Sequence, residues 1–256
     1  MINSDKSNQI ISDSKSAWFR AIILFILALI GTVGMWSVVV FIPNIEKEFG
    51  LDRGTSSLLY AFTMIGFGFG TVVIGKVYDK FGIKNPILLA TFVLIISYYL
   101  YSVFSFYWQF LVLQFFMGFA ASAFFGPAMA DISNFFNKQR GFALSIVASA
   151  NYVAGATWPL LIGYFLKFID WRTTHFWISI CLFIMIPLIL LLRNVSVVES
   201  KSQDMKQRYK DIKLDLSNNQ IQVLLMLAGI CCCVAMAMPQ VHMVALCVDN
   251  GFGLQV

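Results

Sequence analysis

Uncharged hydrogen-bonding and aromatic side chains in the middle of long apolar segments are the strongest candidates for chemistry in this sequence. Hydroxyl, amide and indole groups there can hold a small solute where water is scarce. For Asn151 above all, a hydrogen bond between two helices is the alternative explanation. The candidates for lining a solute cavity are Thr32, Trp36, Ser122, Asn151, Tyr152 and Trp158.

Charged side chains avoid the middle of every apolar segment. Charges at that depth usually mark proton relays or ion paths, so this sequence offers no clear relay. His242, which we take at this stage as the only imidazole inside an apolar segment, is a candidate for ion coupling or gating. A packing histidine held by a hydrogen bond is the simpler interpretation.

Enzymes, metalloproteins and nucleic-acid-binding proteins find little support in the sequence. The chain has five cysteines and two histidines, without a C-x-x-C pair, a G-x-S-x-G motif or two histidines at helical spacing. Neither a metal site nor a nucleophile with its base is therefore expected. The basic residues do not gather with aromatic residues on one soluble face, as a nucleic-acid surface would require. We expect no enzyme activity, no metal and no cofactor.

The composition predicts a membrane protein with several spans. The chain is 59% hydrophobic and 12% charged, whereas soluble domains are roughly a quarter charged. A helix needs about 20 apolar residues to cross the hydrocarbon core. The segments that qualify are Ala21–Ile42, Thr55–Val73, Pro86–Phe106, Trp108–Ala130, Gly141–Leu166, Thr174–Leu192 and Ile221–Val248.

The lysines and arginines predict the orientation of these spans and the division of the chain. With the N-terminus inside, the outer loops hold few of the 18 basic residues, namely Lys47, Arg53, Lys167 and Arg172. This bias favours a cytoplasmic N-terminus. We therefore expect a cytoplasmic tail over 1–20, a six-span bundle over 21–192, a cytoplasmic linker over 193–220, and a seventh span with the C-terminus over 221–256.

Several motifs resemble those of one transporter family. The loop after the second span, which contains Gly75, Asp79, Lys80, Gly82 and Lys84, resembles the loop 2–3 signature of the major facilitator superfamily. Asp131 with the stretch 136–143, which includes Arg140, resembles the family's helix 4–5 junction, and 170–172 resembles the element before helix 6. The stretches 34–37, 49–53 and 238–242 resemble the monocarboxylate and oxalate/formate branch.

The resemblance implies a fold and a function. It implies an all-α membrane protein: a six-helix half of a major facilitator bundle, made of two inverted three-helix repeats, plus a seventh helix. It further implies a multi-pass carrier in the cell (inner) membrane that moves a small solute, a monocarboxylate-like anion, by alternating access. Its expected partners are the solute, the lipid bilayer and a second half-transporter chain. A non-transporting fragment that lacks its second half is the alternative.

The charges at the inner ends of the spans predict a gate. Asp79, Asp131 and Arg140 end or begin the second, fourth and fifth spans, where an unpaired charge is costly. We expect these three side chains to gather and to hold the inner ends together in one transport state. Charges that only set the orientation and pair with nothing are the alternative.

Overall fold

The computed structural model describes residues 13–192 and 217–251, and over those residues the chain is helical without a strand. Most of the predicted tail (1–12) and linker (193–216) lies outside the described residues. Within the described residues, seven helices are long and apolar enough to cross a membrane. We call them spans 1 to 7: Lys15–Phe49, Arg53–Phe81, Lys84–Val103, Tyr107–Phe135, Arg140–Phe165, Trp171–Leu191 and Asn219–Met243.

Three of the spans are interrupted, and the helices that compose them are shorter. Their bounds are Lys15–Gly31 and Val33–Phe49 in span 1, Tyr107–Ala121, a 3₁₀ turn at Ser122–Phe124 and Gly126–Phe135 in span 4, and Trp171–Leu182 and Met185–Leu191 in span 6. Span 7 belongs to a helix over Asn218–Asp249, and residues up to Asp249 are counted with span 7 below.

Proline explains two of these interruptions. Pro127 lies in the first turn of the second helix of span 4. A proline ring clashes with the carbonyl four residues earlier and removes a backbone donor, so the helix cannot run through Ala123 unchanged. Pro187 stands in the same relation to Phe183, where span 6 breaks. Span 1 breaks at Thr32 without a proline.

The first six spans pack as two related triplets. Span 2 packs on span 4, span 1 on span 5, and span 3 on span 6. Suppose that a twofold axis relates spans 1, 2 and 3 to spans 4, 5 and 6, in that order. It then converts the contact of span 2 with span 4 into the contact of span 5 with span 1. The contact of span 3 with span 6 is converted into itself. This pattern is the one that two inverted three-helix repeats produce, and it confirms the predicted fold class.

Spans 2 and 4 approach each other more closely than any side chain would permit. A Cβ atom placed on Gly66 would collide with the backbone of Phe115, and one placed on Gly118 would collide with the backbone of Thr63. Small residues let helix backbones meet in a membrane, where packing drives association. Gly68 and Gly126 of the same two spans face open space.

Span 7 lies at the periphery of the bundle. The most apolar 18-residue stretch is 61% buried in span 1 and 0% buried in span 7. Span 7 touches the second helix of span 1, and Gln240 accepts a hydrogen bond from the Tyr60 hydroxyl at 3.2 Å. The helix therefore has most of its surface available for other contacts.

The two ends of the bundle are distinguished below by the path of the chain. The end at which the chain enters span 1 is the N-terminal end, and the opposite end is the far end. Span 1 begins at Lys15, ahead of the predicted Ala21, because the Ser14 hydroxyl caps the helix by accepting from the Ala17 N–H at 3.3 Å. Arg20 consequently lies on the helix and not in a tail.

Candidate functional site

Trp36 and Asn151 form a hydrogen-bonded pair across the seam between spans 1 and 5. The indole Nε1–H of Trp36 donates to Asn151 Oδ1 at 3.2 Å, and both side chains are half-buried. The Trp36 ring lies against Gly155, where an added Cβ would come within 2.7 Å of the ring. Below it, the Trp158 indole donates to the Leu29 carbonyl at 2.8 Å. This seam therefore brings together three of the predicted cavity residues.

Thr32 and Ser122 lie at the interruptions of spans 1 and 4, and both are buried. The Thr32 hydroxyl donates to the Ala28 carbonyl at 2.8 Å, and the Ser122 hydroxyl donates to the Phe119 carbonyl at 2.7 Å. Each hydroxyl thus bonds a carbonyl of its own helix near the break. Tyr152, in contrast, is 59% exposed.

The two interruptions adjoin. A Cβ on Gly31 would lie 2.5 Å from the Phe124 ring, so the break in span 1 is packed directly against the 3₁₀ turn of span 4. Discontinuous helices in membrane carriers commonly meet near the depth of the bound solute. The Trp36–Asn151 pair lies about one turn further along span 1.

At the N-terminal end, the structure gives Asp131 a partner that the sequence analysis did not name. Arg20 of span 1 holds the Asp131 carboxylate in two hydrogen bonds, at 2.6 Å from Nε and 3.0 Å from Nη2. The side chains are only 5% and 8% exposed, and the Arg20 guanidinium lies 4.7 Å above the Phe135 ring. A bidentate pair of this kind is geometrically specific and joins span 1 to span 4.

The expected three-residue gate is not found in that form. Asp131 pairs with Arg20, and Asp79 is exposed at the end of span 2, without an ion-pair partner among residues 13–192 and 217–251. Arg140 begins span 5. Arg20 was not predicted as a partner because it falls in the expected tail over 1–20. The signal was the helical spacing of apolar residues that continues backward from Ala21 to Ala17.

The loop motif after span 2 forms a turn at the N-terminal end. Gly82 ends the helix with φ +72°, a conformation that favours glycine, and Lys84 begins span 3. Lys80 lies 5.2 Å above the Phe81 ring. A Cβ on Gly75 would meet nothing, so Gly75 makes no close approach within this part of the chain.

Asp13 clasps the junction between spans 4 and 5. Its carboxylate oxygens accept hydrogen bonds from the backbone N–H groups of Asn137, Lys138 and Gln139 at 3.2–3.4 Å. Its own N–H donates to the Phe135 carbonyl at 3.1 Å. Consecutive backbone N–H groups form a cradle for an anion, and here the chain supplies that anion itself.

At the far end, Glu48 joins spans 1 and 6. Glu48 Oε1 lies 2.6 Å from Arg172 Nη1, and its Oε2 accepts from the Trp171 indole at 2.8 Å. These side chains are 28% exposed for Arg172 and 37% exposed for Glu48. Next to them, Arg53 lies 3.4 Å from Glu46 and 2.9 Å from Asp249 of span 7.

Two carboxylates cap helices at the far end. Asp52 accepts from the Thr55 hydroxyl and N–H, and Asp170 accepts likewise from Thr173. These hydrogen bonds stabilise the ionised form and hold the pKa of both carboxyls below its usual range. The capping contribution is therefore present at neutral pH and is lost as the pH falls through those lowered pKa values.

A buried histidine corrects the view of His242 as the only imidazole within a span. His175 of span 6 is 1% exposed, donates from Nδ1 to the Trp171 carbonyl at 2.8 Å, and stacks on Tyr101 with the ring centroids 4.4 Å apart. His242 is half-buried on span 7. The missed signal was the spacing of Tyr98 and Tyr101 on span 3, one helical turn apart, facing the start of span 6.

The two tyrosines whose rings contact His175, Tyr98 and Tyr101, are themselves hydrogen-bonded inside the bundle. The Ser37 and Tyr98 hydroxyls lie 2.6 Å apart, Gln114 donates to the Tyr101 hydroxyl at 3.3 Å, and Thr63 donates to Gln114 at 2.9 Å. In the ranges 13–192 and 217–251, no group of three or more His, Cys, Asp or Glu side chains could hold a metal ion.

Comparisons with known proteins agree on the family. Residues 24–255 match the family described as the Major Facilitator Superfamily. The chain is 28% identical over 156 residues to the agnestins efflux protein AgnL12 of Paecilomyces divaricatus, which covers 59% of this chain and 35% of that protein. It is 28% identical over 151 residues to the MFS-type transporter pynF of Aspergillus niger, covering 57% and 34%. The matched part thus spans about a third of these relatives.

A solved structure gives the same result for the fold. The xylose transporter XylE from E. coli, in an inward-open conformation, superposes with a TM-score of 0.61 at 12% identity, covering 91% of this chain and 59% of that one. This similarity shows the fold. Because the family match extends over most of the sequence, the chain belongs to the Major Facilitator Superfamily.

Proposed function

We propose that this chain supplies one half of a carrier that moves a small solute across a membrane by alternating access. The observation that carries the proposal is the half-buried Trp36–Asn151 pair on the seam between spans 1 and 5. It places a hydrogen-bonding amide and an aromatic ring next to the adjoining breaks of spans 1 and 4. Carrier sites lie at such places, near the middle of the membrane and between repeats.

The solute that we propose is a small organic anion of the monocarboxylate type. The resemblance of the stretches 34–37, 49–53 and 238–242 to that branch supports this choice. A second candidate is export of a solute, because a relative carries the name agnestins efflux protein. Thr32, Ser122, Tyr152 and Trp158 are proposed to shape the same cavity, and His242 to take part in ion coupling.

A second half is required for this function. Spans 2 and 5 leave 67% and 72% of their most apolar stretches unburied, as expected of faces that receive further helices. The matched relatives are also much longer than the part that this chain aligns with. The missing helices are proposed to come from further sequence or from a separate chain. A non-transporting half-protein is the competing outcome.

We further propose that the N-terminal end faces the cytoplasm, in a cell membrane. The far end carries four of the basic residues that the structure describes, Lys47, Arg53, Lys167 and Arg172, and the N-terminal end carries seven, namely Lys15, Arg20, Lys76, Lys80, Lys84, Lys138 and Arg140. The exposed Asp79 of the loop motif is then free to meet a helix N-terminus of the second half, where the helix dipole favours an anion. The Arg20–Asp131 pair would hold spans 1 and 4 together behind it.

Reconstitution tests the transport proposal. The full chain is placed in liposomes alone, and together with the C-terminal half of the agnestins efflux protein, and counterflow of radiolabelled lactate is compared with that of radiolabelled xylose. Lactate counterflow that requires both halves supports the proposal. If neither solute moves although both halves insert, the non-transporting interpretation is correct.

Thiol labelling tests the orientation. In a background with every cysteine changed to serine, Lys47→Cys is expected to react with an impermeant maleimide on intact cells, and Lys80→Cys only after the membrane is opened. Lys80 and Lys47 are both exposed, so access to the side chain is matched between them. Labelling of Lys80→Cys on intact cells would reverse the proposed orientation.

A further inference from the structure

The Trp36–Asn151 hydrogen bond determines which part of the amide is left for other partners. An indole N–H can only donate, so it must meet the amide oxygen of Asn151, and the distance to Oδ1 is 3.2 Å. The amide nitrogen Nδ2, with its two N–H groups, therefore points away from Trp36. Among residues 13–192 and 217–251, Nδ2 has no hydrogen-bond acceptor within the protein.

The position of Asn151 leaves this nitrogen accessible. Asn151 is half-buried, its neighbour Tyr152 is exposed, and no polar side-chain atom of the described residues is both fully buried and unpaired. The Nδ2 group therefore needs water or a solute as its acceptor, because polar groups in such places rarely remain unsatisfied. The seam presents a donor without an acceptor.

Gly155 fixes the geometry of this donor. The Trp36 ring lies where a Cβ on Gly155 would stand, at 2.7–2.9 Å from three ring atoms. Because Gly155 has no side chain, the Trp36 indole packs directly against the backbone of span 5, one helical turn from Asn151. A ring fixed in this way fixes the amide that it bonds.

No charge competes with the donor along this seam. Span 1 carries no Lys, Arg, Asp or Glu between Arg20 and Glu46, and span 5 carries none between Arg140 and Phe165. A charged solute of either sign would find no counter-charge here, and the free N–H groups can only donate, so an ammonium group would gain no hydrogen bond from them. A solute oxygen with free lone pairs is the complementary group.

We propose that Asn151, positioned by Trp36 and Gly155, is the specificity residue of this half and selects solutes that carry an accepting oxygen, either a carbonyl or a carboxylate. The inference rests on the proposed transport function, because it concerns the same cavity. It goes further by naming the chemical group that the seam recognises. Trp36 acts in this scheme as a positioning residue.

Binding of three aromatic probes of similar size tests the inference. Benzoate carries an accepting carboxylate, acetophenone carries a neutral accepting carbonyl, and benzylammonium carries a donating cation. Binding to the full chain in nanodiscs is followed by tryptophan fluorescence, and the part of the signal that Trp36→Phe removes reports on the seam. The first two probes are expected to bind at least about tenfold more tightly than benzylammonium. They gain a hydrogen bond from Asn151 Nδ2, whereas the ammonium group of benzylammonium gains none from the same N–H groups.

The variant Asn151→Asp reverses the chemistry at nearly constant shape. Its carboxylate still accepts from Trp36 but, when ionised at pH 8, offers no donor. We expect benzoate and acetophenone to weaken about tenfold and benzylammonium to become the preferred probe. Asn134→Asp is the matched control, since Asn134 is also a half-buried asparagine bonded to an aromatic side chain, the Tyr78 hydroxyl. It is expected to change none of the three affinities.

Several outcomes would overturn the inference. These are unchanged probe preference in Asn151→Asp, a preference of the unaltered chain for benzylammonium, and the absence of any signal that depends on Trp36. Misfolding cannot imitate the expected result, because a damaged seam weakens all probes and does not reverse their order. Counterflow of lactate by the unaltered two-half carrier is read independently, so the transport proposal can stand when this inference fails.

Discussion

The two ends of the bundle each carry an arginine–carboxylate pair anchored on span 1, and the two pairs differ in their surroundings. At the N-terminal end, Arg20 and Asp131 are 5% and 8% exposed. At the far end, Arg172 and Glu48 are 28% and 37% exposed. Both pairs have donor–acceptor distances of 2.6 Å, so distance alone does not separate them.

Two ion pairs with the same donor–acceptor distance can therefore differ in how much stability is lost when one partner is removed. Removing one member of a buried pair leaves a charge without solvent or partner and costs about 3–5 kcal/mol, whereas an exposed pair contributes about 0–1 kcal/mol. At the N-terminal end, the loss of either Arg20 or Asp131 alone is therefore strongly destabilising. The far end is held by contacts that water can replace.

The largest effect is expected at Asp131. Asp131→Asn removes the charge opposite Arg20, and we expect the free energy of unfolding in mixed micelles to fall by about 3–5 kcal/mol. The double variant Arg20→Met with Asp131→Leu removes both charges and is expected to recover most of that loss. If the double variant is as unstable as the single one, burial of the charges is not what distinguishes this end.

A smaller effect is expected at Asp13, also at the N-terminal end. Asp13→Ala leaves the N–H groups of Asn137, Lys138 and Gln139 to water, and the expected loss is about 1 kcal/mol, as for a helix cap. Hydrogen exchange at those three amides should quicken, while exchange in span 2 stays constant. Unchanged exchange at the junction would contradict the clasp.

At the far end, Glu48→Gln is expected to cost at most about 1 kcal/mol. The amide oxygen can still accept from Trp171, so only the charge on Arg172 is left alone, and that side chain reaches water. Raising the salt concentration should diminish the difference from the unaltered chain. A loss as large as that of Asp131→Asn would remove the contrast between the two ends.

The smallest effect is expected for Asp249, where span 7 meets span 2. The Asp249 side chain is 55% exposed and that of Arg53 is 37% exposed. Asp249→Asn is expected to leave the stability of the first six spans within about 0.5 kcal/mol of the unaltered value. Fluorescence of a probe attached at Cys247 should nevertheless report a looser span 7. A measurable loss in the six-span bundle would show that span 7 is part of its core.

The spans could be predicted because they depend on local sequence, and their arrangement was implied by the resemblance to the transporter family. An apolar run of sufficient length predicts each span, and the loop at Gly75–Lys84 contains a recognisable motif. The partner of Asp131 could not be predicted in the same way, because Arg20 is 111 positions away in the chain. Only the packing of span 1 against span 4 brings them together.

The sequence also did not reveal which polar side chains are buried. His175 stands close to the start of a span, where a histidine is ordinarily wet, yet the aromatic rings of Tyr101 and Phe41 enclose it. Thr32 and Ser122 are predicted cavity residues because they are polar and central, but the sequence did not show which groups their hydroxyls bond. Their hydroxyls are occupied by carbonyls of their own helices, next to breaks that only Pro127 foreshadows.

The clasp of Asp13 on the span 4–5 junction has a practical consequence for handling the protein. A fluorescent protein or affinity tag fused close ahead of Asp13 would compete for the space in which its backbone and carboxylate meet residues 135–139. Trimming the chain to the first apolar residue of span 1 would delete the clasp and Ser14 together. Fusions are therefore better placed ahead of Met1 with a flexible spacer, and shortened versions should keep Asp13 as their first native residue.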